Sequence, residues 1–177
     1  MRSKSNIILI GMPGSGKSTV GVILAKQCCK AFLDTDVLIQ IRTGRTLQDV
    51  VDHEGYLRLR ELEEKVLLDL RAQDAVIATG GSAVYSKRAM DHLKADGTIV
   101  FLDADLPTLR SRVVDFGSRG LAKRSDQTFE ELFEERRPMY QTYADVTIAC
   151  SGMTHEEVSA KISAHCPKSN SVQKQCR

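Results

Sequence analysis

The segment Asn6–Thr19 reads NIILIGMPGSGKST, and it decides how the chain folds. The β-branched run Asn6–Ile10 predicts a buried strand, and the apolar spacing that follows predicts a helix over Gly16–Gln27. Between them, residues 11–18 fit the pattern G-x-x-x-x-G-K-[ST]. A glycine-rich turn between a strand and a helix directs backbone N–H groups and the positive end of a helix dipole at one anion. This context predicts a loop that binds the phosphates of a nucleoside triphosphate.

The residues of this loop have separate predicted roles. Lys17 faces solvent in this interpretation and places its ammonium against the outer phosphates, and the Ser18 hydroxyl is a ligand of Mg²⁺. The loop therefore predicts a nucleoside triphosphate with Mg²⁺. Further contacts to the nucleotide are predicted from the rest of the loop, namely Gly11, Gly14, Ser15, Gly16 and Thr19.

Strands and helices alternate along the rest of the chain. The other strands are predicted at Ala31–Leu33, Ala75–Ala78, Thr98–Leu102 and Val146–Ala149. The other helices are predicted at Val37–Arg42, Thr46–His53, Gly55–Arg71, Ser86–Ala95, Leu106–Val114, Phe129–Tyr143 and Glu156–Ala164. This alternation predicts βαβ units and an α/β, three-layer P-loop NTPase fold with a five-stranded parallel sheet flanked by helices. We expect one domain, built on the phosphate loop, over residues 1–166 and a polar, disordered tail over 167–177.

Composition narrows the possible partners. The chain has 177 residues and a formal net charge of +2, which is too small a charge to indicate a nucleic-acid or membrane surface. Aromatic residues make up 5% and Trp is absent, so a base-stacking platform is not expected. The five cysteines form no C-x-x-C pair and predict free thiols in a reducing, cytoplasmic setting. No exposed apolar stripe stands out, which favours a monomer, and the four histidines show no metal-binding or nucleophile spacing.

A phosphate-binding loop occurs in motors, switches and kinases, and two absences favour a kinase. The chain is too short for the additional domains of most motors. The base-reading pattern N-K-x-D of GTPases is also missing. A small-molecule kinase is therefore the leading interpretation of the residues alone.

Three groups of residues could serve the acceptor of the phosphoryl group. Asp34 and Asp36 follow the second strand, and in extended chain residues i and i+2 point the same way, toward the phosphate loop. The alternative is that Asp34 caps a helix. Gly80 and Gly81 follow the third strand and allow a close approach of the backbone to a ligand, or form a tight turn. Arg60 begins a charged helix, where surface ion pairs are the alternative.

The motifs in this order resemble those of the shikimate kinase family, over about residues 6–164. Besides the phosphate loop, the markers are Asp34-Thr35-Asp36, Thr43-Gly44-Arg45, Gly55 with Arg60 and Glu63, Thr79-Gly80-Gly81, and Glu135-Arg136-Arg137-Pro138-Met139-Tyr140. The resemblance implies an ATP-dependent kinase that phosphorylates the 3-hydroxyl of shikimate, a step of aromatic amino acid biosynthesis.

The resemblance also implies roles for individual residues. Asp34 would join Ser18 in holding Mg²⁺, and Asp36 would align the acceptor hydroxyl and accept its proton. Arg60 and Arg136 would clamp the acceptor carboxylate, while backbone groups of two glycines would contact the acceptor, and Arg112 would border the adenine. A mobile lid would span about residues 116–126. The two glycines that would make the backbone contacts are Gly80 and Gly81. From the lid, Arg119 would reach the transferred phosphoryl group.

The acceptor side departs from the usual family pattern at several positions. Ser82 stands where a third glycine is usual, and Gly120 follows Arg119 where proline is usual. Tyr56 and Leu59 replace the Glu and Phe of the pattern G-E-x-x-F-R, and Val51 stands where Phe often lines the acceptor pocket. Two alternatives therefore stay open beside shikimate kinase. One is a kinase of the same fold for another hydroxy acid such as gluconate, and the other is a non-catalytic nucleotide-binding module.

Overall fold

The fold is built on a parallel sheet whose central strand is the predicted first strand. A computed structural model describes residues 4–112 and 120–166 of the chain. Its strands pair in the order β2-β3-β1-β4-β5, all in parallel. Their bounds are β1 Asn6–Ile10, β2 Ala31–Asp34, β3 Ala75–Ala78, β4 Gly97–Asp103 and β5 Val146–Ala149. The predicted fold class is confirmed.

Helices connect and cover the strands. Their bounds are α1 Lys17–Cys28, α2 Thr35–Thr43, α3 Leu47–Glu54, α4 Tyr56–Asp69, α5 Lys87–Asp96, α6 Leu106–Arg112, α7 Phe129–Tyr143 and α8 His155–His165. A single 3₁₀ turn, Ala83–Tyr85, follows β3. Side-chain caps begin several of these helices; Thr46, Thr128 and Thr154 each form a capping box with an acidic residue three positions later.

The sheet order brings three strand ends together. The direction in which successive strands are added to the sheet reverses at β1, which has β3 on one side and β4 on the other. In parallel sheets of this kind, ligands bind beyond the carboxyl ends of the strands at such a reversal. The phosphate loop after β1, the helix start after β2 and the glycine turn after β3 therefore face the same crevice.

The predicted geometry of Asp34 and Asp36 is wrong in one respect. Helix α2 begins at Thr35 rather than at Val37, so the three residues are not an extended segment. Asp34 is the N-cap of α2, and its Oδ1 atom accepts a hydrogen bond from the Asp36 N–H at 3.0 Å. A capping carboxylate satisfies an N–H group that would otherwise lack a partner, and this is why the helix starts two residues early.

Two separate apolar clusters hold the domain together. The larger one surrounds the sheet and includes the fully buried strands β1 and β3. The smaller one lies among helices α2, α3 and α4 and consists of Ile39, Val50, Leu59, Val66 and Ala122. Ala122 belongs to the second half of the predicted lid, so this stretch packs on the smaller cluster.

Some predictions fall outside the described residues. These are the first half of the predicted lid with Arg119, the end of the helix predicted to Val114, and the C-terminal tail. Within the described residues, Cys28, Cys29, Cys150 and Cys166 are free thiols, as predicted. None of the described helices is both long and apolar enough to cross a membrane.

Candidate active site

One cavity of about 400 Å³ joins the phosphate loop to the predicted acceptor residues. Its phosphate end is formed by the loop residues Gly14, Gly16, Lys17, Ser18 and Thr19. Gly11 and Ser15 do not line it; both are buried in the loop behind it. Gly11 has φ +148°, and a Cβ atom there would lie 2.8 Å from the Leu102 carbonyl oxygen, so the start of the loop requires glycine.

Lys17 is buried rather than solvent-facing, which corrects the prediction made for it. Its ammonium donates hydrogen bonds to the carbonyl oxygens of Gly11 at 2.7 Å and Met12 at 3.0 Å. Burial lowers the pKa of this ammonium to about 8, and the nearby carboxylates of Asp36 and Glu63 oppose that shift. The loop therefore holds a cation at the point where the outer phosphates of a nucleotide would lie.

Ser18 and Asp34 come together as predicted for a metal site. The Ser18 hydroxyl donates to the Asp34 Oδ2 atom at 2.6 Å, at the exposed edge of the cavity. Both side chains offer oxygen, the donor that Mg²⁺ prefers, and Mg²⁺ in kinases commonly takes one or two protein ligands together with substrate phosphates. The residues present fit that metal.

Arg112 also lines the cavity, and the sequence did not reveal a further residue at the phosphate end. His155, at the start of α8, also lines this end. Its ring packs on the phosphate loop, since a Cβ atom at Gly16 would lie 3.1 Å from the ring. The absence of metal-binding or nucleophile spacing predicted a surface or otherwise satisfied histidine here, because spacing alone cannot show which helix end meets the loop.

The acceptor end of the cavity contains two carboxylates, Asp36 and Glu63. Burial raises the pKa of the Asp36 carboxyl to about 6, and the negative charge of Asp34 adds to that rise. Burial and then the charge of Asp36 raise the pKa of the Glu63 carboxyl to about 7. Glu63 is 3% exposed, and its Oε1 atom has no hydrogen-bond partner in the part of the chain that the structure describes. Sequence reasoning included Glu63 only as a family marker.

The two glycines after β3 make room for these charged groups. A Cβ atom at Gly80 would lie 2.4 Å from Glu63 Oε1 and 2.7 Å from Asp36 Oδ1, and one at Gly81 would lie 2.9 Å from Arg136 Nη1. Part of their backbone is already paired within the protein. The Gly80 N–H donates to Thr35 Oγ1 at 3.1 Å, and the Gly81 carbonyl accepts from the hydroxyl of Tyr140 at 2.6 Å.

Arg60 and Arg136 converge on a single oxygen atom. The carbonyl oxygen of Ala122 accepts from Arg60 Nη2 at 3.1 Å and from Arg136 Nη2 at 2.8 Å. Arg136 lines the cavity and is 1% exposed, whereas Arg60 lies behind Ala122 and does not line it. The Arg60 Nε atom is buried without a hydrogen-bond partner among the described residues.

An aromatic side chain holds the two guanidinium groups in place. The Arg60 guanidinium lies 3.6 Å from the centre of the Tyr85 ring, and that of Arg136 lies 5.2 Å from it. The Tyr85 hydroxyl donates to Glu135 at 2.5 Å. Cation–π contacts and this hydrogen bond fix the ring, and hence the spacing between the cations. Tyr85 follows the glycine turn, and no spacing in the sequence connects it with either arginine.

The fold and this cavity define a class of protein. A phosphate loop with its lysine and a buried carboxylate share one cavity, and a serine–aspartate pair suited to Mg²⁺ lies at its edge. This combination defines a P-loop kinase of small molecules.

Comparison with known proteins identifies the family within that class. The sequence profile of the family described as shikimate kinase matches residues 13–167. A shikimate kinase of Vibrio parahaemolyticus is 38% identical over 165 residues, which is 92% of this chain and 96% of the relative. The chain belongs to the shikimate kinase family, whose members are ATP-dependent phosphotransferases that act on a hydroxyl group.

Solved structures of shikimate kinases are also similar to this chain. A shikimate kinase from Acinetobacter baumannii in complex with shikimate has a TM-score of 0.83 and 31% identity, with 91% of this chain and 92% of that one covered. The enzyme from Aquifex aeolicus has a TM-score of 0.76 and 36% identity, with coverages of 89% and 93%. A gluconokinase from Sinorhizobium meliloti is 19% identical with a TM-score of 0.52 over 93% of this chain and 92% of that one, and it shares only the fold.

Proposed function

We propose that the chain transfers the γ-phosphoryl group of ATP to the 3-hydroxyl of shikimate. The observation that carries this proposal is the convergence of Arg60 and Arg136 on one oxygen atom, in contact with the cavity that contains Lys17 and Asp36. Two guanidinium groups aimed at one oxygen favour a carboxylate, because each can donate a charge-assisted hydrogen bond to it. Asp36 adds a carboxylate that can accept a hydrogen bond from a hydroxyl group of the ligand. A hydroxy acid carries both a carboxylate for the arginines and a hydroxyl for Asp36.

The phosphate end would act mainly through position and charge. Phosphoryl transfer passes through a loose transition state in which charge spreads over the γ-oxygens. The Lys17 ammonium and the first N–H groups of α1 would offset that charge. Ser18 and Asp34 would hold Mg²⁺, which supplies further positive charge beside the phosphates. Arg112 and His155, which both line the cavity, would border the adenine, and Arg119 keeps its predicted role at the transferred phosphoryl group.

The acceptor end would orient the hydroxyl. Asp36 would accept a hydrogen bond from the 3-hydroxyl and take its proton late, because little proton transfer has occurred at a loose transition state. Arg60 and Arg136 would bind the carboxylate in the place of the Ala122 carbonyl, so the lid stretch that contains Ala122 would move when the acceptor enters. ATP-dependent chemistry on a small metabolite is consistent with the predicted cytoplasmic location.

The test is an ADP-release assay with three acceptors at saturating MgATP. Shikimate should be phosphorylated, and its methyl ester, which keeps every hydroxyl but lacks the carboxylate, should have a kcat/KM about tenfold to a hundredfold lower. Gluconate should be a poor acceptor. Faster turnover of gluconate would contradict shikimate as the substrate, and the absence of turnover with all three would favour a non-catalytic nucleotide-binding module.

A further inference from the structure

Ser82 occupies a position that the proposed mechanism does not use. It follows the two glycines after β3, where the family pattern usually has a third glycine, and it is 6% exposed. A buried hydroxyl needs a hydrogen-bond partner. The Ser82 hydroxyl has one, because it donates a short hydrogen bond to Glu63 Oε2. This serine therefore adds to the acceptor end of the cavity a contact that glycine cannot make.

The hydrogen bond gives the two oxygens of Glu63 different environments. Oε2 accepts from Ser82, while Oε1 has no partner among the described residues and packs against Gly80. Asp36 Oδ1 packs against the same glycine. A carboxylate oxygen that is buried without a partner is costly unless a ligand supplies a donor. The arrangement leaves one acceptor atom available beside the aspartate assigned to the reacting hydroxyl.

We propose that Ser82 is a positioning residue, which holds the Glu63 carboxylate in one orientation and in its ionised form so that Oε1 accepts a hydrogen bond from a second hydroxyl of the acceptor. A polyhydroxy acid offers such a hydroxyl next to the one that reacts. This inference rests on the proposed function.

The groups around Glu63 bear on its ionisation. Asp36 from α2 disfavours the charged carboxylate, whereas Lys17 from α1 and Arg136 from α7 favour it, and the hydroxyl of Tyr140 also lies nearby. Burial is the largest contribution and raises the pKa of Glu63, while the hydrogen bond from Ser82 lowers it. Loss of that hydrogen bond should therefore raise the pKa further and require a higher pH for the ionised form.

The experiment measures Ser82→Ala against wild type in steady-state kinetics with shikimate and MgATP from pH 5.5 to 9. We expect KM for shikimate to rise about fivefold, since a hydrogen bond contributes about 1 kcal/mol net. KM for ATP should change by less than about twofold, because the Ser82 hydroxyl is hydrogen-bonded to Glu63 at the acceptor end. The acidic limb of kcat/KM for shikimate should move to higher pH. If Ser82→Ala does not fold, Ser82→Gly removes the same hydroxyl without adding atoms.

The chain offers a matched control. The Ser86 hydroxyl also donates to a glutamate of α4, Glu64, at 2.9 Å, but outside the cavity, and it caps α5. Ser86→Ala should therefore lower thermal stability while leaving KM for shikimate and the pH profile unchanged. A second control repeats Ser82→Ala in a Glu63→Gln background, where it should have no further effect on KM.

Several outcomes would overturn the inference. One is that both Ser82 variants keep the wild-type KM and pH profile. Another is that Ser82→Ala raises KM for shikimate as much in the Glu63→Gln background as in wild type, which would show that Ser82 acts without Glu63. Failure of the proposed function itself is distinguishable. A wild-type protein that does not phosphorylate shikimate removes the acceptor, and this inference with it, whereas an active wild type with unchanged Ser82 variants removes only the role of Ser82.

Discussion

The two ends of the cavity are built in different ways. At the phosphate end, Lys17 contacts carbonyl groups five and six residues away in the same loop. At the acceptor end, Arg60 and Arg136 contact Ala122, which is 62 residues from the first and 14 from the second, and Glu63 contacts Ser82 across 19 residues. One end is therefore a local motif, and the other is assembled by the fold from distant segments.

The ends also differ in how their charges are balanced. At the phosphate end, a buried cation is held by the carbonyl groups of its own loop. At the acceptor end, two carboxylates with raised pKa values share a small buried space with Arg136, and Arg60 Nε and Glu63 Oε1 lack partners in the described part of the chain. These unpartnered atoms and raised pKa values indicate that the acceptor end sacrifices stability for binding.

The largest effect should come from the phosphate end. Lys17→Met keeps the apolar stem of the side chain and removes only the ammonium, so it should lower kcat by about a hundredfold to a thousandfold. Circular dichroism should show an intact fold. Turnover within about threefold of wild type would contradict the assignment of Lys17 to the transferred phosphoryl group.

The second effect concerns stability at the acceptor end. The pKa of Glu63 is about 7 in the folded chain against an ordinary 4.5, so the folded state binds this proton more tightly than the unfolded chain does. The wild type therefore loses stability as the pH rises from about 4.5 through about 7, and the loss is bounded at about 3 kcal/mol. The Glu63→Gln variant has no ionisable group at this position. It should therefore unfold at higher denaturant concentration than wild type at pH 8, but not at pH 5.

A control belongs with this stability measurement. Glu61→Gln removes a charge from the same helix at an exposed position, and it should not give the gain at pH 8. If Glu63→Gln is no more stable than wild type at pH 8, the Glu63 carboxyl is not under electrostatic stress and the contrast between the two ends fails. Its KM for shikimate should nevertheless rise.

The third prediction is that substitution of either acceptor-end arginine weakens shikimate binding without affecting ATP binding. Arg60→Ala and Arg136→Ala should each raise KM for shikimate about tenfold to a hundredfold, because each removes a charge-assisted contact of roughly 1.5–3 kcal/mol. KM for ATP should hardly change. Lysine at either position should not restore binding, since it lacks the planar fork of donors. A parallel loss of ATP binding would show that the ends are not independent.

The smallest effect is expected two residues from Arg60. Arg58 is exposed and pairs with Glu54 at 3.1 Å and Glu61 at 3.0 Å on the surface of α4. Arg58→Ala should leave thermal stability close to wild type and both KM values unchanged. A larger effect of Arg58 than of Arg60 on KM for shikimate would mean that the arginines of this helix are assigned in the wrong order.

Much of the molecule followed from the sequence by itself. Strands β1, β3 and β5 and helix α7 have the predicted bounds, because buried apolar runs and turn residues mark them locally. The phosphate loop was readable for the same reason, since its function depends on backbone geometry within eight residues. Motif order indicated Asp36, Arg60 and Arg136 as candidates for the acceptor end, but it did not predict their contacts.

Only the tertiary structure decided what surrounds those acceptor residues. Asp34 caps a helix and still reaches Ser18, the Tyr85 ring contacts both arginines, and Ser82 pairs with Glu63. Burial depends on which helices pack together, and so does the size of a pKa shift. Neither is a property of spacing along the chain. The sequence determined which groups are available for phosphoryl transfer, and the packing of α2, α4 and α7 around the sheet decided which of them meet.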